Sequence, residues 1–423
     1  MYEGYFFLRH NRYLELGCNG AAIYDVENKM ICAIDLQIGK LINSCKQGKR
    51  LEKIFENSHA APKREIIDYL SELEKNGLGF FSDNYIVIEN LLPSWSLCKR
   101  DESKGLEINK LYLEITKLCN LDCIHCIEEN GAIAKCSCSR LRKINTNENE
   151  VPLTLWKKIV KDAHILKCKE LNIIGGEPFL VKQKVLEIIK CIDNKISSIK
   201  VKTNLLLIDE EIIKILKKFK ITIESNFYSY QSDIHDQITN YKGSWAKWVD
   251  NCKKLLRSGI KVNVTNEIMN INKDHIRGNE KFLYKIGVNN ISTRLIYSFN
   301  KTVWPDPNKE LFFKKENSMN GVTKDQYFFN KERNPCWYGK IAISYDGNIR
   351  PCIMATSYTM GSIFKKSLID VFREDIQMKW WTFTKDKINK CRDCEFRYAC
   401  SDCRPIESRD NKLSGENRFC KIY

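Results

Sequence analysis

Ten of the nineteen cysteines in this 423-residue chain fall into two groups, three near residue 120 and seven after residue 335, and this grouping constrains the fold more than any other feature. Close-set thiols become disulfides in an oxidising compartment and metal ligands in a reducing one. The N-terminal run MYEGYFFLRHNRYLELG has no basic segment ahead of an apolar core and a small-residue cleavage site, so it does not read as an export signal. No stretch approaches the roughly 18 uncharged apolar residues of a membrane helix. The expectation is a cytoplasmic protein whose grouped cysteines hold metal. The single cysteines Cys18, Cys32, Cys45, Cys98, Cys168, Cys191 and Cys252 are expected to be small buried hydrophobes.

From Leu111 to about residue 300 the periodicity alternates between strand and helix. Strand patterns at Leu111–Thr116, Glu170–Ile174, Ile199–Thr203, Ile221–Ser225, Ile260–Ile268 and Ile291–Ile296 are separated by amphipathic stretches such as Leu155–Leu166, Lys182–Asp193, Glu210–Lys218 and Trp245–Arg257. That rhythm predicts an α/β fold with parallel strands and outer helices, an open sheet or partial barrel, because six strands are too few for an eight-stranded one. Ligands in such folds lie at the C-terminal strand ends. The first strand pattern runs into KLCNLDCIHC, which sets Cys119, Cys123 and Cys126 at such an end in C-x3-C-x2-C spacing. Three thiolates leave a tetrahedral zinc site one ligand short, with His125 a conceivable fourth. They also suit a [4Fe–4S] cluster with one iron open to a small ligand.

Taken with the residues that follow, this group resembles the radical S-adenosylmethionine (radical SAM) superfamily. In that family the open iron binds the amino and carboxylate groups of SAM, and reductive cleavage gives a 5′-deoxyadenosyl radical that abstracts hydrogen. Gly175-Gly176-Glu177-Pro178, straight after the second strand pattern, is similar to the family's GGEP motif, where small glycines let the backbone and the Glu177 carboxylate approach the SAM ammonium group. Thr203-Asn204 is similar to the family's TN pair near the SAM ribose. The resemblance makes Ser225 and Arg294, at later strand ends, further candidate SAM contacts, with surface or packing roles as the alternative. His235 and Asp236, in SDIHDQIT, fall in a stretch common in the superfamily and are expected to order a loop. Cys136 and Cys138 read as free thiols of an insertion, or as neighbours of substrate or another cluster.

In the second group, Cys336 is followed by ten residues, Gly347, four residues and Cys352; later come Cys391-x2-Cys394-x5-Cys400-x2-Cys403 and finally Cys420. Seven thiols with two C-x2-C pairs exceed what one zinc needs. The pattern resembles the SPASM extension of radical SAM enzymes, which carries two auxiliary [4Fe–4S] clusters, although the family's last C-x3-C is here C-x2-C. By that resemblance Cys391, Cys394, Cys400 and Cys420 hold one cluster and Cys336, Cys352 and Cys403 the other. Residues 337–351 contain no cysteine, so the second cluster has an open iron or takes a distant ligand. SAM and three [4Fe–4S] clusters are thus implied.

Residues 1–95 combine strand patterns at Tyr5–Arg9, Tyr13–Leu16, Ala22–Asp25 and Met30–Asp35 with helical ones at Gly39–Lys46, Leu51–Asn57 and Lys63–Asn76, the last closed by Gly77, and then a hairpin pattern at Gly79–Ser82 and Tyr85–Glu89. This winged-helix-like α+β unit resembles the PqqD-like recognition element of enzymes that modify ribosomally synthesised peptides (RiPPs). There the leader of the precursor peptide adds as a strand, here beside Met30–Asp35 and against helix Lys63–Asn76. Residues 93–110 read as a linker and 301–335 as an irregular bridge. The expected domains are 1–95 for leader recognition, 96–310 for the radical SAM core, a partial (β/α)6 barrel, and 311–423 for the bridge and SPASM.

The net charge is +16, but the lysines are spread along the chain with no block of five or six like charges, which argues against a nucleic-acid arm. An acidic leader would give that charge a purpose. The resemblances imply a maturase that abstracts hydrogen from a precursor peptide and forms an intramolecular C–C or C–S crosslink. It would take electrons from a donor such as flavodoxin or ferredoxin, and neither nucleic acid nor membrane is expected as a partner. Peptide oxidation or epimerisation is the alternative among enzymes, and a zinc-rich nucleic-acid-binding protein the alternative outside them.

Overall fold

The computed structural model describes residues 4–56, 63–88, 92–93, 107–126, 150–192, 196–296, 321–400, 403–407, 412–415 and 420. Cys98, Cys136 and Cys138 lie outside them. The chain packs as two units, one of residues 1–101, 313–336 and 382–423, the other of residues 102–312 and 337–381. No helix among the described residues is long and apolar enough to cross a membrane.

In the first unit, β1 (Tyr5–Leu8), β2 (Arg12–Leu16), β3 (Ala21–Asp25) and β4 (Met30–Ile34) precede helices α1 (Leu36–Lys46), α2 (Leu51–Glu56) and α3 (Lys63–Lys75), and β5 (Gly79–Ser82) follows. Asp35 starts α1 by accepting from the backbone N–H of Gln37 at 2.7 Å. Ile66, Leu70 and Leu73 lie one helical turn apart along α3 and are buried, in a core with Phe6, Ile23, Leu41 and Leu51. The helix stops at Gly77, whose φ of +73° suits glycine. Strands β2, β3 and β4 form an antiparallel sheet with β4 at one edge.

Among the described residues, the expected hairpin between β5 and Tyr85–Glu89 does not form. Instead β5 pairs antiparallel with β1, placing Gly79 opposite Leu8. A side chain on Gly79 would lie 2.3 Å from the Phe6 ring, so the glycine is what lets β5 lie there. Tyr85 turns its ring onto Tyr5 and Phe7, with centroids 5.6 and 5.9 Å apart. The stretch read as an irregular bridge contains helix Lys324–Glu332, opened by a reciprocal Thr323–Gln326 capping box.

Among the described residues the second unit is built on one nine-stranded sheet. Strands β6 (Lys110–Glu114), β7 (Glu170–Ile174), β8 (Ser198–Lys202), β9 (Thr222–Phe227), β10 (Val262–Ile268) and β11 (Asn290–Leu295) are parallel, each beside the next. This is the α/β arrangement of adjacent parallel strands expected. Register lines up Leu113, Ile173, Val201, Ile223 and Val262 across five strands, all buried. Residues of the opposite parity carry charge: Glu170 pairs with Lys110 at 3.2 Å and with Lys200 at 2.9 Å. The sheet also extends past β6. Strand β12 (Lys340–Ile343) pairs parallel to β6, followed by antiparallel β13 (Asn348–Arg350) and β14 (Gly361–Ser362). Of the single cysteines, Cys45, Cys168 and Cys252 are buried as expected, but Cys18 is exposed and Cys32 and Cys191 are half-buried.

Candidate active site

The site forms where β6, β7, β8 and β9 end. The chain leaves β6 through Ile115 and Thr116, and the Thr116 hydroxyl accepts from the N–H of Leu118 at 3.2 Å, starting the cysteine loop. The N–H of Gly176 donates to Thr116 O at 3.0 Å and that of Glu177 to Leu118 O at 2.8 Å, so the turn after β7 is bonded along the loop backbone. A Cβ on Gly175 would lie 2.7 Å from Thr116 O, and one on Gly176 would lie 2.2 Å from Leu118 O. Both glycines are required by this close approach. On its other side the loop is tied to helix Ser232–Thr239, with Asp122 N donating to Thr239 O and Ile124 N to Ile238 O.

One cavity is lined by Cys119, Cys123, Cys126, Gly175, Gly176, Thr203 and Asn204 together with Lys202, Asn226, Tyr228, His235 and Trp248. Burial pushes the Cys119 thiol up to about 11 and raises that of Cys123 well above its usual value. The thiols line one cavity, whereas no three Cys, His, Asp or Glu side chains among the described residues close around a single ion. In a four-iron cluster each thiolate takes a different iron, and a shared cavity is the arrangement such a cluster needs. The Nδ1 atoms of His125 and His235 are buried without a hydrogen-bond partner among the described residues. The donor set and the glycine cradle, with His235 in the lining, fit a cluster and a polar ligand here.

Glu177 is fully buried. It accepts from the Thr203 hydroxyl at 2.9 Å, from Asn204 N at 2.7 Å and from Phe179 N at 3.0 Å. Burial raises its pKa to about 7 against the pull of these donors. Its carboxylate thus binds the β7 turn to the Thr203-Asn204 pair after β8. Asn204 passes the linkage on, donating to Asn120 Oδ1 at 2.7 Å in the cysteine loop. Glu177, Pro178, Ser225 and Arg294 are not among the residues lining the cavity. Ser225 accepts from Trp248 Nε1 at 2.9 Å, and Arg294 pairs with the fully buried Glu267 on β10. Asp236 orders a loop as expected, accepting from Gly243 N, Ser244 Oγ and Trp245 N at 2.6–2.8 Å. His235 lines the cavity while its ring bonds to the Ser229 backbone, and burial lowers its pKa to about 4.

Lys202 escaped the motif reading. Desolvation brings its pKa down to about 8, with Glu267 opposing and Arg294 adding to the fall. Its signal in the sequence was a second lysine, two residues after Lys200, at the end of an otherwise apolar strand. Tyr228 was missed too; its hydroxyl lies 3.3 Å from His125 Nε2.

The later cysteines divide between the units: Cys352 lies in the second, and Cys336, Cys391, Cys394, Cys400, Cys403 and Cys420 in the first. Burial pushes the Cys394 thiol up to about 12, and nearby Glu395, Cys400 and Cys420 add to the rise. Lys385 Nζ donates to Cys400 Sγ at 3.8 Å. Cys394, Cys400 and Cys420 therefore stand as neighbours with a cation beside them.

Residues 113–282 match the family model of the radical SAM superfamily, and residues 336–395 match that of an iron–sulfur cluster-binding domain, SPASM. The chain is 26% identical over 324 residues to the antilisterial bacteriocin subtilosin biosynthesis protein AlbA of Bacillus subtilis (strain 168), covering 72% of this chain and 69% of AlbA. It is 27% identical over 188 residues to a GTP 3',8-cyclase of Clostridium perfringens (strain SM101 / Type A), covering 43% of this chain and 53% of the cyclase. Among solved structures, Streptococcus suis SuiB bound to precursor peptide SuiA superposes with a TM-score of 0.54 at 16% identity, covering 95% of this chain and 96% of SuiB.

Proposed function

We propose, from the radical SAM and SPASM domains that the chain carries, that it matures a ribosomally made precursor peptide, abstracting hydrogen and closing an intramolecular C–C or C–S crosslink. The observation that carries this reading is the meeting of the three thiols of the C-x3-C-x2-C loop with Gly175, Gly176, Thr203 and Asn204 on one cavity at the strand ends. Similarity to AlbA along most of both chains, and to SuiB in fold, supports a peptide as the substrate.

In this reading Cys119, Cys123 and Cys126 hold the first cluster. Cys391, Cys394, Cys400 and Cys420 hold one auxiliary cluster, and Cys336, Cys352 and Cys403 the other. When bound, SAM and the clusters supply a hydrogen-abstracting radical and a sink for the electron left over when two hydrogens give way to one bond. The chain's own part is to position and to exclude water. Gly175 and Gly176 keep the wall beside the cysteine loop thin, Glu177 fixes Thr203 and Asn204 against it, and Tyr228 and Trp248 line its apolar side. Ser225 and Arg294, engaged with Trp248 and Glu267, act as supports of that wall. Electrons would come from a flavodoxin- or ferredoxin-like donor.

The N-terminal module is the leader site in this reading. Its edge strand β4 offers backbone for an added strand, and α3 packs near it: burial and then Glu72 raise the Cys32 thiol of β4, and burial and then Cys32 raise the Tyr69 hydroxyl. Helix α3 carries three basic residues (Lys63, Arg64, Lys75) and four acidic ones (Glu65, Asp68, Glu72, Glu74). Recognition there rests on backbone pairing and side-chain fit, since this helix gives no attraction for an acidic leader. The test is anaerobic incubation of the reduced, reconstituted protein with SAM and the candidate precursor. The expected product is lighter than the substrate by two hydrogen atoms, with the loss mapped within the peptide. An inverted α-carbon at unchanged mass would overturn the crosslink.

A further inference from the structure

We infer that the β2–β3 hairpin of the N-terminal module is a wall of the cluster site built by Cys391, Cys394, Cys400 and Cys420, with Glu15 and Tyr24 as its positioning residues. This rests on the reading above that those cysteines hold an iron–sulfur cluster.

The hairpin turns through Gly17-Cys18-Asn19-Gly20, closed by Gly17 N donating to Gly20 O at 2.8 Å. Across the turn lies Glu395, one residue after Cys394. A Cβ on Gly17 would meet Glu395 Oε2 at 2.1 Å and its backbone N at 2.9 Å, and a Cβ on Gly20 would meet Glu395 Oε1 at 2.9 Å. The glycines therefore make room for the cysteine loop itself. Alternate residues of that loop then reach into the hairpin. Asp393 O accepts from Cys18 N at 2.8 Å, and Glu395 O accepts from the buried Tyr24 hydroxyl at 2.8 Å. Arg397 donates to Leu16 O at 3.2 Å and to Cys394 O at 2.8 Å while pairing with Glu15.

Glu15 is only 6% exposed, and a carboxylate that deep needs partners. It has three: the Arg397 guanidinium, the Tyr327 hydroxyl and Lys331 Nζ at 2.8 Å. Arg397 joins this buried acid on β2 to the carbonyl of a cysteine that would ligate the cluster. A loop of C-x2-C-x5-C spacing has little core of its own, so its ligands are held by what packs behind them. Here that backing is the hairpin of a module some 370 residues away in sequence, the Tyr24–Glu395 separation being 371.

The experiment uses the full chain, anaerobically reconstituted, as wild type and as Glu15→Gln, Tyr24→Phe and Glu27→Gln. Iron and sulfide per chain, the rate of iron release to a chelator, and the SAM-induced spectral change of the first cluster are measured on each. The expected results are about twelve irons in wild type, release of one cluster's share about fivefold faster in Tyr24→Phe, which removes a single buried hydroxyl, and faster still in Glu15→Gln. Glu27→Gln, at an exposed pair with Arg12, should match wild type, and the first cluster's response to SAM should be intact in all four. Wild-type release rates in Tyr24→Phe and Glu15→Gln would overturn the inference, and Tyr24→Phe alone decides if Glu15→Gln fails to fold. About four irons in the wild type itself would instead overturn the auxiliary-cluster reading on which the inference stands.

Discussion

Glu177 is held by three donors in a fully buried position, and its pKa is raised to about 7 by burial. Its folded pKa therefore lies above the unfolded one, near 4.5. The unfolded chain loses this proton first as pH rises, so the group's contribution to stability is largest below about 4.5 and declines until about pH 7. In Glu177→Gln that decline should vanish, a difference on the order of 2 kcal/mol between pH 5 and 8 that urea unfolding of both proteins would measure. Gly176→Ala places a methyl 2.2 Å from Leu118 O. It should cost the first cluster, seen as SAM binding weakened at least about tenfold in equilibrium dialysis. Lys385, 8% exposed with Nζ 3.8 Å from Cys400 Sγ, places a cation against the sulfur of a proposed cluster ligand. Because reduction adds negative charge, Lys385→Met should lower the potential of that auxiliary cluster, by about tenfold in the one-electron equilibrium or about 59 mV in a spectroscopic redox titration. An unchanged potential would mean the lysine serves only packing. At this scale the sequence made legible which motif residues share the cavity, and not what each of them bonds to. Glu177 carries a motif position, yet its visible bonds are to Thr203, Asn204 and Phe179, and only the fold could bring positions 177 and 203 together.

At the scale of elements, period alone located the six parallel strands, because a buried strand between two helices is spelled by its own residues. It did not locate β12. Lys340–Ile343 is four residues long and becomes part of the sheet by pairing with β6, more than 220 residues earlier. The β5 pairing failed for the same reason: Tyr85–Ile88 alternates like a strand, but the partner of β5 is β1, chosen by the fit of Gly79 over Phe6. The helix at Lys324–Glu332 is legible in its Thr323–Gln326 capping box, although the polar residues around it read as irregular. The leader-site proposal belongs at this scale. Tyr69→Ala, on the α3 face toward β4, should weaken precursor binding about tenfold in fluorescence anisotropy while peptide-independent SAM cleavage stays at the wild-type rate. Equal binding by both proteins would place the leader elsewhere.

For the whole molecule, the division by packing differs from the order of motifs along the chain. Residues 337–381 join the sheet that carries the first cysteine loop, while residues 382–423 pack with the N-terminal module. The span matched to SPASM at 336–395 is thus shared between two packing units, a division no local pattern announces. The proposal that three sets of cysteines hold three clusters, one of them where β6 ends, is tested most directly by iron and sulfide analysis after anaerobic reconstitution of wild type and of a variant with Cys119, Cys123 and Cys126 all replaced by alanine. The prediction is about twelve irons in the wild type and about eight in the variant, with SAM cleavage only in the wild type. Equal iron in the two proteins, or zinc in place of iron, would contradict it.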